Sequence, residues 1–166
     1  GYTAVCGVDE AGAGPLMGPV YAAAVILPED YDLPELNDSK KLTEKKREML
    51  FPLIKERAIA WSVAWVEASE IDATDILSAR MKAMQMAIDG LSVTSDMALI
   101  DGNRDKGHSA AISTAHRCIV GGDGKSASVA AASVLAKVSR DHYVTEVLDK
   151  AYPQYQFAKH KGYGTK

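Results

Sequence analysis

Three short apolar runs in this chain each pass into a carboxylate set beside glycine. Residues 4–8 lead into Asp9-Glu10-Ala-Gly12, residues 97–100 into Asp101-Gly102, and residues 116–120 into Gly121-Gly122-Asp123-Gly124. A short apolar run bounded by turn residues reads as a buried strand, and glycine lets the backbone turn sharply or approach a ligand closely. The pattern therefore asks for a sheet that delivers acids to the ends of several inner strands. Adjacent carboxylates there repel one another and resist ionisation unless a cation or hydrogen-bond donors sit beside them. Such an arrangement is expensive to keep for structure alone.

The remaining pattern supplies the layers around that sheet. Strands are expected at residues 3–8, 20–27 (closed by Pro28), 59–66, 97–100 and 116–120. Trp61 and Trp65 fall on one side of the third. A helix is expected over residues 43–57 with Thr43 as N-cap, kinked or split at Pro52 because its ring removes a backbone donor. Residues 74–91 carry Leu77, Met81, Met84, Ile88 and Leu91 at steps of four and three, the stripe of a core-facing helix. A long helix, residues 126–152, opens with Ala- and Ser-rich turns suited to close packing on a sheet. Strands paired first as a meander and then alternating with helices indicate an α/β layered fold with a mixed sheet. There is no internal repeat or linker, so residues 1–166 are read as one domain.

Composition narrows the function classes. A net charge of −3 and 47% apolar residues describe a globular chain and speak against non-specific coating of nucleic acid. They leave room for a nuclease with a local acidic site. Cys6 and Cys118 both lie in apolar runs and are expected as buried, reduced thiols. No run approaches the roughly 20 apolar residues of a membrane span and no signal peptide is recognisable, so a cytoplasmic protein without membrane contact is expected.

In open α/β sheets ligands bind outside the carboxyl ends of the strands, so side-by-side strands would converge Asp9, Glu10, Asp101 and Asp123 on one spot. A lone aspartate after a strand commonly just closes a turn, and Glu44, Glu48, Glu56 and Asp89 read as solvated helix faces. The threefold coincidence, with a doublet at one strand, points to a metal site. Oxygen-only ligation favours Mg2+ or Mn2+ over zinc. Two such ions about 3.5–4 Å apart can activate water and stabilise the leaving oxygen of a phosphodiester. Successive strand side chains point to opposite faces, so Asp9 and Glu10 can both reach the ions only if the chain bends there, as Gly12 and Gly14 permit.

These residues resemble the type 2 ribonucleases H, the ribonuclease HII family. The resemblance is carried by Gly7-Val-Asp-Glu-Ala-Gly12, Leu36-Asn-Asp-Ser-Lys-Lys-Leu42, Leu99-Ile-Asp-Gly-Asn103, Gly122-Asp123, the run from Ala130 to Asp141, and His160-Lys-Gly-Tyr-Gly164. It implies a ribonuclease H-like fold with a mixed five-stranded sheet flanked by helices. It further implies Mg2+- or Mn2+-dependent cleavage of RNA in RNA–DNA hybrids and incision 5′ of single ribonucleotides in duplex DNA, leaving 3′-hydroxyl and 5′-phosphate ends. By the same resemblance Asp9, Glu10, Asp101 and Asp123 are the catalytic metal ligands; a monomer is expected. Gly12, Ala13 and Gly14 read the ribose 2′-hydroxyl through backbone groups, Tyr163 packs on the neighbouring sugar, and Lys40, Lys41 and Lys161 contact phosphates. Asp141 is open between support of the metal site and a surface salt bridge with Arg140.

Two departures from the family pattern stand out. Ala13 replaces an arginine between the turn glycines, which removes a charged substrate contact worth about 1–3 kcal/mol. The chain also stops at Lys166, where family members continue with a helical segment, so a trimmed chain is expected. An alternative is therefore a hybrid-binding protein with impaired turnover.

Overall fold

The computed structural model describes residues 4–12, 19–36, 42–67, 69–70, 75–101, 112–119 and 126–148. Five strands form one sheet: β1 (Val5–Ala11), β2 (Val20–Ile26), β3 (Ala60–Val66), β4 (Met97–Asp101) and β5 (His116–Ile119). Their spatial order is β3-β2-β1-β4-β5. β1, β2 and β3 pair antiparallel, whereas β4 and β5 run parallel to β1. The expected meander followed by alternation is thus present, and β1 lies at the centre where the two halves meet.

Helices α1 (Glu44–Arg57), α2 (Ile76–Asp89) and α3 (Ala127–Tyr143) cover the sheet. One face packs on α2: Cys6, Val8, Ala22, Ala24, Ala98 and Ile100 join Met81, Met84 and Ile88 in one buried cluster. The other packs on α1 and α3, where Ala11, Ala23 and Val25 meet Leu50, Ile54 and Leu135. Each fully buried Leu or Ile of this kind contributes about 1.5–3 kcal/mol. The small residues of α3 let it press against the central strand. An added Cβ at Gly7 would lie 2.2 Å from backbone atoms of Ser128 and Val129.

Local signals explain the helix starts. Thr43, Asp75 and Ser126 each accept a hydrogen bond from the backbone N–H three residues on, satisfying a donor the helix cannot. Pro52 does not split α1, which runs unbroken through it. Leu50 and Ile54 anchor the helix on either side, and Pro52 is exposed, so the carbonyl its ring leaves without a partner can meet water. The α-helical part of the last segment ends at Tyr143 and widens to π-helix over Val144–Leu148; residues 149–152 of the expected helix lie outside the described residues.

Cys6 is buried as expected, but Cys118 is exposed. Its strand pairs only with β4 and forms an edge of the sheet, so an apolar run there does not guarantee burial. Trp61 and Trp65 do share a side; Trp65 stacks on Tyr21 with ring centroids 5.6 Å apart, and Lys55 lies 4.7 Å from the centre of the Trp61 ring. Among the described residues no helix is long and apolar enough to cross a membrane.

Candidate active site

The central strand carries the acid pair farther inside the sheet than the sequence pattern implies. β1 continues to Ala11, three residues beyond the expected end, because β2 pairs with it through Asp9↔Ala23, Glu10↔Ala22 and Ala11↔Tyr21. The ladder keeps the backbone extended through both acids, and the bend comes only afterwards, at Gly12. Alternation therefore holds. Asp9 shares its face with Ala23 and the α3 cluster, and Glu10 shares its face with Ala22 and the α2 cluster.

Asp101 is brought to the pair by β4. The parallel register runs from Val5↔Met97 to Val8↔Ile100, so one further step sets Asp101 beside Asp9. The electrostatics agree: burial first, then the charges of Glu10 and Asp101, push the Asp9 carboxyl up to about 8. Asp9 Oδ1 also accepts the Glu10 backbone N–H at 2.8 Å, which opposes that shift. Burial likewise raises Glu10, and the Arg80 guanidinium counteracts it from 2.9 Å. Lys137 of α3 acts in the same sense, more weakly, on both acids.

Gly12 directly follows the last residue of β1. Gly12 has φ +96°, and a Cβ there would lie 2.5 Å from Arg140 Nε and 2.9 Å from the Pro19 carbonyl oxygen. Arg140 is completely buried and donates from Nε to that carbonyl at 3.2 Å. Asp141 is buried as well, so a surface salt bridge between these two is excluded. Glu44, Glu48, Glu56 and Asp89 are exposed, as expected of solvated helix faces.

Of the expected site residues, β4 brings Asp101 beside Asp9, and Gly12 follows the acid pair in the chain. The bend expected between Asp9 and Glu10 is absent, because pairing with β2 keeps both extended, and Glu10 faces the α2 side instead. Asp123, Ala13, Gly14, Lys40, Lys41, Lys161 and Tyr163 lie outside the described residues. Sequence reasoning gave no role to Arg80 or Lys137, and offered Arg140 only as a surface partner of Asp141. A signal existed for Arg80: an arginine beside the apolar stripe, between Leu77 and Met84, is carried toward the core. The other two needed the packing of α3.

No group of three or more His, Cys, Asp or Glu side chains already arranged to hold a metal ion occurs among the described residues. The donor set nevertheless suits a hard divalent cation. Mutually repelling, largely buried carboxylates with only oxygen donors gain most from a doubly charged ion that favours oxygen.

Comparison with known proteins places this geometry in context. A family model described as Ribonuclease HII matches residues 6–166. The ribonuclease HII of Aliivibrio fischeri strain MJ11 is 55% identical over all 166 residues, which span 78% of its length. That of Vibrio parahaemolyticus is 53% identical over the whole chain and 76% of its own length. Among solved structures, ribonuclease H2 from Pyrococcus horikoshii superposes with a TM-score of 0.77 at 26% identity, covering 99% of this chain and 82% of that one. A ribonuclease HIII bound to Mn2+ shares the fold, with a TM-score of 0.74 at 18% identity over 92% of this chain and 56% of that one. Its sheet, its central acids and these matches together make this chain a member of the ribonuclease HII family.

Proposed function

We propose that this endoribonuclease H cleaves the RNA strand of RNA–DNA hybrids and incises 5′ of single ribonucleotides in duplex DNA, leaving 3′-hydroxyl and 5′-phosphate ends. The observation that carries the reading is the register that sets Asp101 of β4 one step beyond Val8↔Ile100, beside the buried Asp9 of the central strand. Asp9, Glu10 and Asp101, with Asp123, would hold Mg2+ or Mn2+. Bound divalent ions supply an activated water and a counter-charge for the leaving oxygen. Asp9, flanked by Glu10 along its strand and by Asp101 on the neighbouring one, would be among the groups that hold the ions. The backbone turn at Gly12, Ala13 and Gly14 reads the 2′-hydroxyl, a group that both donates and accepts hydrogen bonds. Gly12 supports this role because its left-handed backbone and contact with Arg140 leave no room for a side chain. Tyr163 packs on the adjacent sugar, and Lys40, Lys41 and Lys161 hold phosphates. Residues 1–166 act as a single catalytic domain.

Incubation with duplex DNA bearing one ribonucleotide, with Mg2+ or Mn2+, tests the proposal. A single cut 5′ of the ribonucleotide is expected, and none in an all-DNA control. Binding without incision would favour the impaired hybrid-binding protein that Ala13 suggests. The Asp101→Asn variant should lose at least about 100-fold in turnover with an unchanged circular dichroism spectrum; retained turnover would remove Asp101 from the site.

A further inference from the structure

Glu10 is joined to α2 by a contact that the proposed chemistry does not use. Arg80 Nη2 lies 2.9 Å from Glu10 Oε1, and the two side chains retain 26% and 12% exposure. Arg80 Nε is buried and makes no hydrogen bond. Native proteins rarely leave a buried donor without a partner, so the guanidinium is held here by charge rather than by a full set of hydrogen bonds. Lys137, on the helix across the sheet, is a weaker influence on the same carboxylate.

We propose that Arg80 is a built-in counter-cation for Glu10 that competes with the divalent metal for this carboxylate. The inference rests on the reading of Glu10 as a metal ligand. A guanidinium and a divalent ion on one carboxylate repel each other, and a few ångström of partly buried space screens that repulsion poorly. The ion reaches Glu10 only by displacing Arg80 or by binding against its charge, and either weakens binding. Substrate changes the balance. Its phosphate oxygens add metal ligands and offer the displaced guanidinium an anion of the kind it binds well. Arg80 is in this sense a positioning residue: it keeps Glu10 in place without metal and ties metal loading to the arrival of substrate.

Calorimetric titration of Mn2+ into the substrate-free protein at pH 8 and low ionic strength tests this through a double-mutant cycle. Arg80→Met keeps the apolar stem and removes the charge, and it should tighten Mn2+ binding on the order of tenfold. Arg80→Lys should stay near the parent affinity. In a Glu10→Gln background the gain should vanish. Thermal melts establish that each variant is folded, and Arg80→Gln carries the same expectation should Arg80→Met not fold. If Glu10→Gln alone leaves Mn2+ affinity unchanged, Glu10 is not a ligand and the underlying reading fails. If Glu10→Gln weakens Mn2+ binding while Arg80→Met does not tighten it, or tightens it equally without Glu10, the role of Arg80 is overturned.

Discussion

At Asp9 an ordinary aspartate acquires unusual chemistry from where it sits. Its carboxyl, pushed up to about 8 by burial and by Glu10 and Asp101, titrates near 3.9 in an unfolded chain. The folded form therefore binds more protons between these values. The stability this lends is full below about pH 4 and is lost as pH rises through about 8. Chelator-treated protein should melt at a lower temperature at pH 9 than at pH 5, and Asp9→Asn should flatten the difference. An equally steep loss in that variant would assign the effect to other groups. Gly12 poses a steric counterpart. Gly12→Ala meets both an unfavourable positive φ and the Arg140 side chain, and should cost about 1–3 kcal/mol in urea unfolding. Asp9 and Gly12 were both legible as chemically significant. The size of the Asp9 shift was not, because it depends first on burial by packed distant segments and then, after Glu10, on Asp101, more than 90 positions away in the sequence.

Among the elements, the helices were the easiest to read and strand ends the hardest. Thr43 caps α1 as its residue type suggests, and the apolar stripe of α2 buries Met81, Met84 and Ile88, with Leu77 half-buried. β1 outran its apolar segment because pairing with β2 satisfies the backbone of Asp9 and Glu10 whatever their side chains prefer. The split that Pro52 could have caused is absent, with Leu50 and Ile54 buried on either side of it. The α3–β1 contact is the element-level feature most exposed to damage. Gly7→Ala would drive a methyl into the backbone of Ser128 and Val129, where no side-chain rotation relieves it. A loss of about 1–3 kcal/mol or more is expected, read as a lower urea midpoint, and an unshifted midpoint would mean that α3 can move off the sheet at little cost.

For the molecule as a whole, folding and metal binding are linked. Two halves of the sheet, antiparallel β1–β3 and parallel β4–β5, meet at β1, and only that junction sets Asp101 beside Asp9. An unfolded chain has no such cluster, so a divalent ion binds the folded form preferentially. Mn2+ at about 100 times its dissociation constant should stabilise the protein by about 2.7 kcal/mol, seen as a rise in melting temperature that EDTA reverses. No rise at saturating Mn2+ would contradict the carboxylate assignment.

What could be read from the residue order was the part governed by local periodicity and residue chemistry. Five apolar runs, the helix caps and the acids beside glycine each follow from their neighbours within a few positions. The extension of β1 through both acids, the pairing of Glu10 with Arg80 and the burial of Arg140 beneath Gly12 arise from contacts between distant segments. Those contacts follow from strand order and register, which local pattern does not specify. The acids announce the chemistry, while the sheet decides which of them meet and which cation each one faces.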